Sequence, residues 1–140
     1  MLSGGFKVGL PAWCPVSAVC GGALVQDATT TVAALKGIVN DFVTERCWQP
    51  FHDPKNLSTS IAIEAAELME HFQWLRSDQL GSIREDTDAM RGICEEVADI
   101  MAYVISFANV MGIDISSTLE EKMKRNAVKY PADEYRGRFR

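Results

Sequence analysis

Two acidic pairs share one spacing in this chain: Ile61-Ala-Ile-Glu64-Ala-Ala-Glu67 and, further on, Ile93-Cys-Glu-Glu96-Val-Ala-Asp99. Each reads I-x-x-E-x-x-[E/D] within an apolar, helix-favouring stretch, so each sets two carboxylates one turn apart on a helix face. Two such helices facing one another would gather four carboxylates. Like charges so close oppose folding unless a cation lies between them, and an all-oxygen donor set suits a hard divalent ion such as Mg2+. Mn2+ accepts similar ligands. The candidate metal ligands are therefore Glu64, Glu67, Glu96 and Asp99. Solvated flank acids are the ordinary fate of glutamate, but duplication of the pattern argues against it here.

The elements that must position these acids follow from the same spacing. At about 100° per residue, Leu57, Ile61, Ala65, Leu68, Phe72 and Leu75 form one apolar stripe, with Glu64 inside its arc and Glu67 on the flank. Ile93, Val97, Ile100, Val104, Phe107 and Met111 form the matching stripe, with Glu96 at its edge and Asp99 on the flank. An acid set into a core stripe is costly unless paired or coordinated. The periodicity predicts a first helix over 27–46 and a second over 57–75, separated by a segment whose Pro50 and Pro54 forbid helix continuation. A polar connection over 76–86 leads to a third helix, from about Asp88 to a left-handed cap at Gly112. Asp114 and the box Ser117-Thr-Leu-Glu120 start a fourth, which Pro131 ends. With no strand alternation anywhere, the fold class is all-α, a four-helix bundle.

The chain has 140 residues, 47% hydrophobic and 24% charged, which fits one soluble globular domain. No window reads as a transmembrane helix, so no membrane partner is expected. The net charge of −5 is uneven: residues 1–118 hold 7 Lys/Arg against 15 Asp/Glu, and 119–140 hold 7 against 4. So short a basic stretch, of mixed sign, suits a helix face or a local anion site, and duplex nucleic acid is not an expected partner. Cys14, Cys20, Cys47 and Cys94 show no zinc-site spacing, which fits a reduced, cytoplasmic protein, with Cys94 packing as a small hydrophobe. Residues 8–25 hold no charge and faintly resemble a secretory signal, yet Pro11 and Pro15 interrupt the run. Residues 1–26 therefore read as an irregular N-terminal extension, 27–131 as the domain, and 132–140 as a loose C-terminal tail.

A wider set of residues now comes into view. Trp48-x-x-Phe51-His52-x-Pro54-x-Asn56-Leu57, Glu64-x-x-Glu67, Phe72-Gln73-Trp74, Glu96-x-x-Asp99 and Lys122-x-x-x-Asn126-x-x-Lys129-Tyr130-Pro131 together resemble the MazG-type all-α nucleoside triphosphate pyrophosphohydrolases. The dCTP pyrophosphatase branch is the nearest within that family. The resemblance covers roughly residues 35–131, in order, with no counterpart for 1–26. It implies hydrolysis between the α and β phosphorus atoms, giving a nucleoside monophosphate and pyrophosphate, in a role of nucleotide-pool house-cleaning. It also implies Mg2+ on Glu64, Glu67, Glu96 and Asp99, the set that the spacing singled out. An ion there would neutralise phosphate oxygens and acidify water, leaving a carboxylate to take the proton.

Lys122, Asn126 and Lys129 share one face of the fourth helix and would meet a triphosphate's charge, with Tyr130 capping that end; Lys124 and Arg125 point elsewhere and stay solvated. Trp48, Trp74 and Tyr103 are the candidate base pocket, since aromatic rings stack on a nucleobase whatever its edge. Val39 stands where the dCTP branch is expected to carry a histidine, which puts strict cytosine preference in doubt. His52 reads as a structural hydrogen-bonder. Ile63, Met69, Met101, Ile105 and Val110 exceed what one thin bundle buries, so a homo-oligomer is expected, a dimer or, by the resemblance, a tetramer. A di-iron bundle needs Glu-x-x-His, and His71 follows Glu67 by four. A non-catalytic nucleotide-binding regulatory or partner module on the same helical fold is the alternative, separated by turnover.

Overall fold

Thr31 begins the first helix: its hydroxyl accepts the Ala34 N–H at 3.1 Å, satisfying a donor that the first turn would otherwise orphan, a cap worth about 1 kcal/mol. The computed structural model describes residues 25–138, so the extension expected over 1–26 lies almost wholly outside the described residues. Helix α1 runs Val32–Glu45 and buries Val43. Cys47, at φ 52°, takes a left-handed conformation that turns the chain into a single 3-10 turn at Gln49–Phe51.

Helix α2 covers Pro54–Glu70, opening on the Asp53 carboxylate, which accepts the Asn56 N–H at 2.8 Å, with proline at its first position, where no amide is needed. It ends five residues earlier than its periodicity predicts, so Phe72 and Leu75 belong to the connection that follows. Leu57, 2% exposed, is the most deeply buried large side chain among the described residues. A second 3-10 turn, Ser82–Glu85, leads into α3, Thr87–Met111, capped by Asp86. Gly112 closes α3 at φ +64°, and the Ile113 N–H returns to the Ala108 carbonyl at 2.9 Å, a left-handed stop that favours glycine. Helix α4 is Ile115–Lys129, and a one-turn helix α5, Ala132–Tyr135, occupies the start of the expected loose tail.

Helix α2 lies along α3, and α1 packs on α3 from another side. Ser60 meets Tyr103, Glu64 meets Asp99 and His71 meets Gly92, so α2 and α3 run antiparallel in a single register. The core formed by these three helices is small, centred on Val43, Leu57, Ile105 and Ala108. Ile105, expected among the surplus apolar residues, belongs to this core, whereas Val97 and Met111 of the predicted stripe are exposed. Cys94 is exposed rather than packed.

The four-helix bundle is not closed by the chain's own fourth helix. Helix α4 departs at 102° to α3 and makes no extended contact with α1, α2 or α3. The elbow is held from α1: Lys36 Nζ donates to the Ile113 carbonyl at 2.9 Å, and Asn109 Nδ2 donates to the Lys36 carbonyl at 3.0 Å. Among the described residues no single helix is long and apolar enough to cross a membrane.

Candidate active site

Three of the four predicted acids converge. Carboxylate oxygens of Glu64, Glu96 and Asp99 lie within 4.8 Å of one another, Glu64 from α2 and the other two from successive turns of α3. Glu64 and Glu96 are half-buried and Asp99 is exposed, so the group opens to solvent along one side. Burial raises the Glu64 carboxyl above its usual range, and the charges of Glu67, Asp99 and Glu96 raise it further. Glu96 Oε2 is buried without a hydrogen-bond partner. A buried, unpartnered oxygen on one member of a group of like-charged carboxylates is what a hard cation satisfies. The residues thus fit a divalent metal ion by donor type and by unmet demand.

Glu67, one turn along α2, is exposed and stays outside the trio, acting on Glu64 through its charge. Glu95 is exposed as well and takes no part in it.

One helical turn from the acids, an aromatic pocket of about 310 Å³ opens between α2, α3 and the Gln49–Phe51 turn, lined by Trp48, Phe51, His52, Asn56, Ser60 and Tyr103 over Leu57. Trp48 and Tyr103 thus meet as expected. Trp48 is fixed edge-on against Phe42, with ring centroids 5.8 Å apart, and lies beside the His52 ring at 6.4 Å. The Arg46 guanidinium sits 3.7 Å over the Phe42 ring, backing the pair. His52 Nδ1 reaches the buried Ser106 hydroxyl at 3.0 Å, matching its expected structural role. Asn56 Nδ2 donates to the Phe51 carbonyl at 3.2 Å and so ties the loop wall to α2.

Trp74 does not join this pocket. Because α2 ends at Glu70, Trp74 falls in the connection, 85% exposed. Phe51, Asn56 and Ser60 are pocket residues to which sequence reasoning gave no role; Ser60 stands four residues before Glu64, so the same helical spacing that finds the acids also finds it.

The predicted phosphate face stands apart from the acids within one chain, since it rides on α4. Lys122, Lys129 and Tyr130 are exposed and Asn126 is half-buried. Lys129 Nζ lies 5.1 Å from the Tyr130 ring centroid, and Tyr130 packs edge-on against Tyr135 of α5. Lys124 turns away to pair with Glu120 at 2.7 Å.

A family model described as the MazG-like family matches residues 59–138, a span that takes in all of α3 and α4 and all four acids. The chain belongs to the MazG-like family. Among curated relatives of this MazG-like chain, dCTP pyrophosphatase 1 of Bos taurus is 30% identical over 107 residues, 76% of this chain and 63% of its own length. The Homo sapiens protein of the same name is 29% identical over 102 residues, 73% of this chain and 60% of its own. This chain therefore spans about three fifths of the length of the curated relatives it matches. The solved structure of a pyrophosphatase from Archaeoglobus fulgidus superimposes with a TM-score of 0.68 at 35% identity, covering 76% of this chain and 98% of that one.

Proposed function

We propose that this MazG-like chain is a Mg2+-dependent nucleoside triphosphate pyrophosphohydrolase, with deoxycytidine triphosphate among its better substrates. One observation carries the reading: three carboxylates from one helical hairpin converge within 4.8 Å, one turn from an aromatic pocket of nucleobase size. The names of its relatives, dCTP pyrophosphatase 1 and a pyrophosphatase, support the same reaction class.

Trp48 and Tyr103 hold the base by stacking, and the His52–Ser106 bond keeps that wall in place. Glu64, Glu96 and Asp99 hold the cation, with the Glu96 Oε2 orphan satisfied on binding. A divalent ion there supplies charge neutralisation for phosphate oxygens and acidifies water. With the trio engaged, Glu67, exposed one turn along α2 from Glu64, is the carboxylate left over to accept the proton that the attacking water loses. Mn2+ replaces Mg2+ at the same oxygens.

The assembled enzyme is a homo-oligomer, a dimer or tetramer, with its sites near the contacts between copies. Supporting this, α4 has no extended partner among the described residues, and Leu119, Met123 and Val128 on it are exposed, as are Ile63, Met69, Met101 and Val110 on α2 and α3. Lys122, Asn126, Lys129 and Tyr130, together with Trp74, then complete a site on a neighbouring copy.

The test is a panel of nucleotides incubated with Mg2+, with pyrophosphate and orthophosphate measured separately. Release of pyrophosphate and monophosphate is the expected result. Release of γ-orthophosphate, or full activity in chelator, overturns the reaction, and nucleotide binding without turnover would mark a regulatory module instead. A monomer mass by light scattering at micromolar concentration overturns the assembly.

A further inference from the structure

The seam between α2 and α3 carries one more polar group. His71 caps the end of α2 and lies half-buried across α3 at Gly92. A Cβ at position 92 would stand 2.6 Å from His71 Cε1 and 3.1 Å from Nε2, so the imidazole occupies the space that glycine alone leaves. Only His52 makes a side-chain hydrogen bond among the two histidines, which leaves the His71 ring without one among the described residues.

The spacing of these residues places them with the acids. His71 follows Glu67 by four and Glu64 by seven, and Gly92 precedes Glu96 by four and Asp99 by seven. Both therefore lie on the acid-bearing face of their helices. On the opposite side of the acids, Ser60 precedes Glu64 by four and Tyr103 follows Asp99 by four, in the aromatic pocket. The order along the seam is pocket, carboxylates, imidazole, with His71 roughly 10 Å along the α2 axis from Glu64.

A nucleotide whose base fills the pocket and whose α-phosphate reaches the acids runs on, through its β- and γ-phosphates, toward His71. We infer that His71 binds the departing pyrophosphate, donating a ring N–H to a β- or γ-phosphate oxygen, and that Gly92 exists to admit its ring. This rests on the reading of the chain as a pyrophosphohydrolase. Nothing in the aromatic pocket depends on it, so monophosphate binding is independent of His71.

The experiment compares wild type with H71A, H71Q, G92A and the H71A/G92A double variant, each checked by its melting curve. Inhibition of dCTP turnover by inorganic pyrophosphate and by dCMP is measured in Mg2+. H71A should weaken pyrophosphate inhibition about fivefold or more, the scale of one hydrogen bond to a charged group, and leave dCMP inhibition within about twofold. G92A, which displaces the ring, should match it; the double variant should be no worse, and H71Q, which keeps an N–H donor, should recover part of the loss. If the double variant regains wild-type pyrophosphate inhibition, or if H71A weakens both products alike, the inference is overturned. Should wild type release no pyrophosphate from any nucleotide, the enzymatic reading fails. Calorimetry with Mg2+ and inorganic pyrophosphate then decides the inference: binding lost in H71A supports it, and equal or absent binding in both proteins overturns it.

Discussion

His52 Nδ1 lies 3.0 Å from Ser106 Oγ, joining a side chain in the wall of the aromatic pocket to a residue of α3 that is only 5% exposed. The bond spans two elements, so it fixes where the Gln49–Phe51 turn, and Trp48 before it, sits relative to α3. Ser106→Ala should destabilise the fold by about 1 kcal/mol, the usual net worth of such a bond. It should also raise KM for nucleotides more than it lowers kcat, because the base wall is loosened while the acids are untouched. Melting curves and steady-state rates check both; equal losses in KM and kcat would argue against a pocket-specific effect.

Glu64 faces three other acids and is raised above the usual carboxyl range chiefly by burial. Glu64→Gln and Asp99→Asn should abolish turnover while leaving metal-free melting unchanged or higher, since a repulsion is relieved. At a Mg2+ concentration 100 times its Kd, wild type should gain about 2.7 kcal/mol by mass action. The two variants should gain much less. Glu67→Gln, outside the trio, should keep most of the Mg2+ stabilisation and still lose rate. Equal Mg2+ shifts in all four proteins would rule out the carboxylate trio as the metal site.

Leu57 sits beneath the aromatic pocket and is the best-buried large side chain described. Leu57→Ala should cost about 2–5 kcal/mol, because a thin core has few neighbours able to collapse into the space. Thermal or urea unfolding measures it. A loss below 1 kcal/mol would mean that this face is covered differently in the assembled protein.

Asp114 accepts the Ser117 N–H at 2.8 Å at the start of α4, and this bond holds its carboxyl below the ordinary aspartate value of 3.8, with Lys36 adding to the effect. A carboxylate whose pKa is depressed by folding stabilises the fold above the unfolded value and loses that contribution as pH falls through the folded one. The melting difference between wild type and Asp114→Ala should therefore be flat from pH 5 upward, in roughly the region where aspartate is ionised, and should close in more acid solution. A difference that grows as pH falls would contradict the cap.

The acids were legible because helical spacing is a strong constraint: Glu96 and Asp99 meet as their i, i+3 spacing demands, with Glu64 joining from the facing helix, and Gly112 and Asp114 act as the caps their residue types announce. Glu67 and Asp99 both hold flank positions, where packing decides direction; it brings Asp99 into the trio and leaves Glu67 out, a difference the pattern does not encode. Trp74 was placed on α2 by an apolar period that continues past Glu70, where the helix stops. Ser60 lies on the acid-bearing face by spacing and Asn56 within the Trp48–Leu57 motif, but neither carries an aromatic signal, so their place in the pocket wall emerges only when α3 lies beside them. The departure of α4 depends on Lys36 and Asn109, partners 73 residues apart, a relationship that local periodicity cannot reveal.

Those two bonds at the elbow make α4 a lever. Fifteen residues extend from a pivot clamped by α1, an arm of roughly 22 Å at helical rise. A tilt of about 5° at Ile113 would sweep the Lys129 end through roughly 2 Å on such an arm, comparable to the difference between a direct contact and a lost one. Where the basic end of α4 arrives is thus decided at its far end, by a lysine and an asparagine of the elbow, and substitutions in α1 reach that end without altering it.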